Sequence, residues 1–165
     1  MQELLYFAYG SNMDLDRIND RLDYLGKLTE PVPYKLHGYT LCFNAESVCP
    51  NCNFANIQEA NSEQYVEGLL YQLNHDQFKR LDSIETLYER QYFNIDQQIA
   101  TTYICTDKFY LGNRFSMEYD YFNLLYKAAI NNVFNTTLEK LEQYKLSHNI
   151  KPLKFRNKRD KFLKY

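Results

Sequence analysis

The chain has 165 residues, 45% of them hydrophobic and 24% charged, which suits one domain with a core large enough to fold unaided and argues against a second. The formal net charge of −2 is unevenly spread: residues 151–165 hold seven Lys or Arg against one Asp, net +6, which leaves −8 on residues 1–150. No window approaches the roughly 18 apolar residues of a membrane span, and the amino terminus opens on Gln2-Glu3 instead of a basic region and apolar core, so no membrane contact, a cytoplasmic location and reduced cysteines are expected.

From the amino terminus, the apolar and aromatic run Leu4 to Tyr9 reads as a buried strand that stops at Gly10-Ser11-Asn12. Such a turn folds tightly and exposes several backbone N–H groups together. Leu15, Ile18, Leu22 and Leu25 follow helical spacing, with Asp14, Asp16, Arg17, Asp20, Arg21 and Asp23 on the other face. Ser11 or Asn12 is the expected cap of that helix, and Asp14 and Asp16 suit its positive end. A strand, a small polar turn and a helix can hold a carboxylate or a developing oxyanion on free N–H groups, but many such turns bind nothing. The turn lacks the Gly-Lys of a phosphate loop and the framing of a nucleophile elbow.

Residues 29–33, with two prolines, read as a loop, and His37 to Asn44 alternates as a strand does. Cys49-Pro50-Asn51-Cys52-Asn53 is turn chemistry before the short apolar segment Phe54 to Ile57, and Gln58 to Tyr65 is polar. Val66 to Leu73 is a strand covered on both faces. Asn74 caps a helix with Phe78, Leu81 and Ile84 on one side, ending near Glu85. Two β-rich runs follow, Tyr92 to Ile95 and Ala100 to Cys105, separated by Asp96-Gln97-Gln98. Helical spacing returns from Met117, with Tyr121, Leu124, Leu125, Ala128 and Ala129 in register, and again over about 136–146. Strands and helices mix without strict alternation, so the chain is expected to be an α+β fold or a small barrel with helices around it. Residues 1–150 form the domain and residues 151–165 a basic tail. Because Leu153, Phe155 and Phe162 interleave with its lysines and arginines, the tail reads as a segment lying back on the acidic body rather than as a nucleic-acid arm.

Cys49-x-x-Cys52 is half of a zinc site at most: no second pair exists, and His37, Cys42 and Cys105 are singly placed, so no metal is expected. His37, His75 and His148 lie apart in dissimilar contexts. Glu85 differs, since it ends an amphipathic helix with Tyr88 and Tyr92 close behind it. A carboxylate against an aromatic wall can be raised by desolvation towards neutrality and serve as a general base, although most terminal glutamates are simply solvated.

Phe7-Ala8-Tyr9-Gly10-Ser11-Asn12-Met13, Leu15 to Ile18 with Arg21, His37 to Asn44, Phe54 to Ile57, Val66 to Leu73, Leu81-Asp82-Ser83-Ile84-Glu85 and the helix over 119–129 occur in the order in which they stand in the γ-glutamylcyclotransferase family of AIG2-like fold. The chain resembles that family over about residues 4–146. The resemblance implies a small mixed β-barrel flanked by helices, Glu85 as the catalytic acid/base, and Tyr6, Phe7, Ala8, Tyr9, Gly10, Ser11 and Asn12 as binders of a γ-glutamyl unit. It makes Tyr92 the pocket tyrosine, with Tyr88 as its rival. The implied reaction cleaves a γ-glutamyl amide by intramolecular cyclisation to 5-oxoproline and a free amine, with no metal or organic cofactor. A catalytically silent module sensing a γ-glutamyl or other carboxylate ligand is the alternative. Thr86 stands where the family often has Gly, and Phe115-Ser116 where it has Pro-Ser, changes that fall on the pocket rim. The tyrosine-rich surface permits a homodimer without requiring one.

Overall fold

A computed structural model describes residues 4–46, 52–95, 97–106, 109, 115–148 and 150. The basic tail and Cys49 lie outside the described residues. Among the described residues, seven strands and four α-helices run in the order β1 (Leu4–Ala8), α1 (Leu15–Leu22), β2 (Val32–His37), β3 (Tyr39–Glu46), β4 (Asn53–Glu59), β5 (Tyr65–Leu73), α2 (His75–Ile84), β6 (Tyr88–Ile95), β7 (Gln98–Cys105), α3 (Tyr119–Asn131) and α4 (Asn135–His148). Five strands form a sheet in the order β2-β5-β1-β7-β6, while β3 and β4 form a separate antiparallel ribbon. β1 lies in the middle, antiparallel to β5 and parallel to β7, which is why Leu4 to Ala8 is apolar throughout. The α+β class and the flanking helices are as the sequence leads one to expect; the strands form a curled sheet and a ribbon rather than a closed barrel.

The ribbon packs β3 against β5 and β4 against β7. Its exit from the sheet is made at Gly38, whose φ of +80° suits a residue without Cβ. Gly38 N–H donates to the Gln64 carbonyl at 2.9 Å, and Ala60 N–H donates to the Gly38 carbonyl at 2.8 Å, which ties the ribbon to the start of β5. Residues 29–31 are loop as expected, while β2 takes in Val32 and Pro33 of that stretch: Pro33 is tolerated there because, among the described residues, β2 is an edge strand paired only with β5.

The core is continuous through both layers, with Phe7, Ile18, Leu22, Ile57, Leu73, Leu81 and Leu141 fully enclosed. At ~1.5–3 kcal/mol for each buried large aliphatic side chain, Ile18 and Leu22 are what fix α1 against the sheet. Leu15, expected on the same face, is 47% exposed, because the helix only begins there. α2 starts on a complete capping box: Asn74 Oδ1 accepts from Gln77 N–H and Gln77 Oε1 accepts from Asn74 N–H, both at 2.9 Å. Gln77 Nε2 also donates to the Gly26 carbonyl at 2.6 Å, so the cap of α2 pins the end of the α1 segment. No described helix is long and apolar enough to cross a membrane.

Candidate active site

Between the end of β1 and the end of α2 the chain leaves a cleft of about 110 Å³. Its walls are Tyr6, Tyr9, Gly10, Ser11 and Asn12 from the first strand and turn, Arg17 and Arg21 from α1, Phe54 and Ala55 from β4, Ile84 to Tyr88 around the end of α2, Tyr103 from β7 and Tyr121 from α3. Residues from seven elements meet in a space that a methyl group on Gly10 would narrow at once. A Cβ there would lie 3.6 Å from the Tyr121 hydroxyl and 3.7 Å from the Ala55 Cβ.

The turn after β1 is a short 3-10 segment, Ser11–Met13. Its first internal bond runs from Met13 N–H to the Gly10 carbonyl at 3.0 Å, so the N–H groups of Ser11 and Asn12 lie ahead of its own ladder. The expected cap is corrected here: neither Ser11 nor Asn12 caps α1. Asp14 does, its Oδ1 accepting from Arg17 N–H at 2.9 Å, because the 3-10 segment pushes the helix start two residues further on.

Asn12 is thereby left for another task. Its side chain, on a residue 4% exposed, donates from Nδ2 to the Tyr6 hydroxyl at 2.8 Å and to Glu85 Oε1 at 3.1 Å, and its Oδ1 accepts from Arg21 Nη1 at 2.6 Å. The orientation of the amide follows from chemistry, since a guanidinium only donates and a carboxylate only accepts. Its own carbonyl is held by the Tyr71 hydroxyl at 2.9 Å. Arg21 Nη1 also reaches Glu85 Oε1 at 3.4 Å, with side chains 13% and 18% exposed. One carboxylate, one guanidinium and one amide are thus locked together on the floor of the cleft.

Burial raises the Glu85 carboxyl above its ordinary value, and Arg21, the Asn12 hydrogen bond and Arg17 only partly oppose this. The phenols move the same way. Burial, helped by the Glu85 charge, pushes Tyr6, Tyr9 and Tyr88 well up, and Tyr121 rises to about 12, so all stay protonated at neutral pH. Tyr88 donates to the Ala55 carbonyl at 2.8 Å, and Ala55 N–H donates to the Tyr121 hydroxyl at 3.1 Å, which clamps β4 across the cleft. Among the described residues, no three of His, Cys, Asp and Glu cluster as metal ligands.

Of the residues expected at the site, Tyr6, Tyr9, Gly10, Ser11, Asn12 and Glu85 share this cleft. Phe7 and Ala8 do not line it; Phe7 turns to the opposite side of β1, edge-on to Tyr34 and Phe93, and both residues are enclosed in the core. Tyr92 is a correction. It is 65% exposed and absent from the cleft, whereas Tyr88 lines it. The two tyrosines share a face of β6, but four residues along a strand is about 13 Å, which carries Tyr92 past the cleft to solvent. Arg17, Arg21, Phe54, Tyr103 and Tyr121 were not expected there. For the arginines a signal existed, since residues four apart on a helix share a face.

Comparison with solved structures places the fold. One named γ-glutamyl cyclotransferase is 21% identical with a TM-score of 0.65, over 95% of this chain and 93% of that one. An uncharacterised protein from Homo sapiens is 20% identical with a TM-score of 0.66, over 96% and 94%. A glutathione-specific γ-glutamyl cyclotransferase from yeast is 13% identical with a TM-score of 0.61, over 90% and 99%. At these identities the likeness is one of fold. No curated protein matches the sequence. The model of one family, γ-glutamyl cyclotransferase, AIG2-like, matches residues 6–123, a span that takes in every residue of the cleft from Tyr6 to Tyr121, and the chain belongs to that family.

Proposed function

We propose that the protein cleaves a γ-glutamyl amide by intramolecular cyclisation, releasing 5-oxoproline and the free amine, with Glu85 as acid/base. The single observation that carries the reading is the position of Glu85: a desolvated carboxylate, oriented by Asn12 at 3.1 Å and Arg21 at 3.4 Å, lining one small cleft together with the Ser11–Asn12 turn.

Such a substrate brings its own nucleophile. Its α-amine attacks its own γ-carbonyl carbon and forms a five-membered ring, so the protein needs to orient it rather than supply a Ser or Cys. Glu85 accepts a proton from the amine as the new C–N bond forms, and returns one to the departing nitrogen as the old C–N bond breaks. The turn N–H groups donate to the oxyanion between these steps. The raised Glu85 carboxyl suits an acid and base that must exchange a proton near neutral pH. Neutral, buried phenols on the opposite wall keep water out without competing for that proton.

The test is incubation with γ-glutamyl amino acids and γ-glutamyl alkylamines, followed by detection of 5-oxoproline, with Glu85→Gln in parallel. Release by the wild type and its loss in the variant support the reading; binding of these compounds with no product from either protein refutes it.

A further inference from the structure

Asp82 and Arg90 lie outside the cleft, yet they frame the stretch of chain that carries its acid. Arg90 and Tyr103 are direct cross-strand partners on β6 and β7, so both side chains rise from the same face of the sheet. Asp82, in the last turn of α2, binds both. Its Oδ1 accepts from Arg90 Nε at 2.6 Å and from the Tyr103 hydroxyl at 2.8 Å, and its Oδ2 accepts from Arg90 Nη2. The guanidinium thus meets the carboxylate as a two-pronged fork, and it also lies over the Phe78 ring, one turn earlier on α2, 4.9 Å from the ring centre. Among the described residues, no other side chain of the turn Leu81 to Ile84 bonds outside the helix: Ser83 returns to the Arg80 carbonyl at 2.7 Å, and Leu81 and Ile84 are apolar. With 30% of the Arg90 and 42% of the Asp82 side chain exposed, the pair adds little to overall stability, as open ion pairs do, and its effect is local.

The fork closes a short loop of chain, and Glu85 and Tyr88 both sit inside it. Glu85 is where α2 ends: its N–H donates to the Leu81 carbonyl at 2.8 Å, and its carbonyl accepts from Tyr88 N–H at 3.0 Å. Helix ends fray, and this one carries the carboxylate of the cleft. From the α1 side, Asn12 and Arg21 hold the carboxyl group; from the sheet side, the fork holds the turn of helix from which it springs. The Tyr103 bond adds a second route, since the Tyr103 ring stands edge-on to Tyr6 at 5.8 Å and the Tyr6 hydroxyl accepts from Asn12. We propose that Asp82, held by Arg90, is a positioning residue that fixes Glu85 at its working distance from the reacting atoms, a role that rests on the reading of Glu85 given above. A displacement of about 1 Å costs ~10²-fold in such a step.

Asp82→Asn and Arg90→Lys each break the fork, the second while keeping the charge, and it carries the test if the first does not fold. Each is expected to lower kcat for 5-oxoproline release about 10–100-fold, with KM within about 3-fold of wild type and Tm lower by no more than about 5 °C. In a Glu85→Gln background neither substitution lowers the residual rate further, because a residue that works through Glu85 has nothing left to position. The readout independent of turnover is amide hydrogen exchange in the full chain, expected to be at least about 10-fold faster at Glu85 and Tyr88 in either variant and unchanged in β1. An unchanged kcat overturns the proposal. So does a loss of the same size on top of Glu85→Gln, which marks a general effect on the fold. If the wild type releases no 5-oxoproline, faster exchange confined to Glu85 and Tyr88 keeps the clamp and removes the catalytic reading, and unchanged exchange overturns both.

Discussion

Asn12 is the side chain on which the geometry of the cleft turns, and its removal has a calculable effect. Three hydrogen bonds end on it, at 2.8 Å to Tyr6, 3.1 Å to Glu85 and 2.6 Å to Arg21. Two of the partners are charged, so the sum is about 4–7 kcal/mol on the usual scale of ~1.5–3 for a charged and ~0.5–1.5 for a neutral bond. Glu85 and Arg21 keep 18% and 13% exposure, so water entering from the cleft recovers roughly half. Asn12→Ala is therefore expected to lose ~2–4 kcal/mol, a fall in Tm of roughly 5–15 °C for a chain of this size. Asn12→Asp separates packing from charge. It keeps the shape and the Arg21 contact but sets a second carboxylate against Glu85, which raises Glu85 further and moves the acid limb of the kcat/KM profile to higher pH. The assays are thermal unfolding and 5-oxoproline release across pH. A Tm within a degree of wild type for Asn12→Ala, together with an unmoved acid limb for Asn12→Asp, would refute the assignment of Asn12 as the residue that holds Glu85.

Glu85→Gln is expected to reduce turnover roughly 10²–10⁴-fold, the range for a lost general acid/base. Its stability has a definite sign. A carboxyl raised in the folded state holds its proton more tightly than in the unfolded chain, so wild-type stability falls as pH rises from 4.5, the unperturbed value, through the raised value. The variant should thus unfold at a higher temperature than wild type at about pH 7 and lose that advantage near about pH 4; an advantage independent of pH would contradict the desolvation of Glu85. Tyr88→Phe removes the bond to the Ala55 carbonyl and should impair turnover, whereas Tyr92→Ala should leave it unchanged; parallel kinetics of the two variants decide which tyrosine belongs to the site. Gly68→Ala places a Cβ 2.4 Å from the Ala8 carbonyl oxygen and 2.6 Å from the Phe7 ring, so β1 and β5 must move apart. The expected cost is ~1–3 kcal/mol by denaturant unfolding, with turnover falling too because β1 carries the turn of the cleft; wild-type stability would show that the sheet yields freely there.

Local chemistry made much of this protein readable from its amino acids alone. Leu4 to Tyr9 ending at Gly10-Ser11-Asn12, the Asn74 and Gln77 pair opening α2, and the helical spacing after Met117 each act within a few residues, so the sequence states them directly. The same holds for a carboxylate at the end of α2. β2 was hidden because prolines look like a loop unless the strand is known to be an edge, and that depends on β5, more than thirty residues away. Tertiary contacts alone decided that Asn12 meets Glu85, 73 residues further along the chain, that α1 turns Arg17 and Arg21 into the cleft rather than to water, and that Tyr88 closes it while Tyr92 faces solvent. A helix face or a strand face is fixed by period; which wall it meets is fixed by the burial of Ile18, Leu22 and Leu81 in a shared core, a long-range condition that no short stretch of chain encodes.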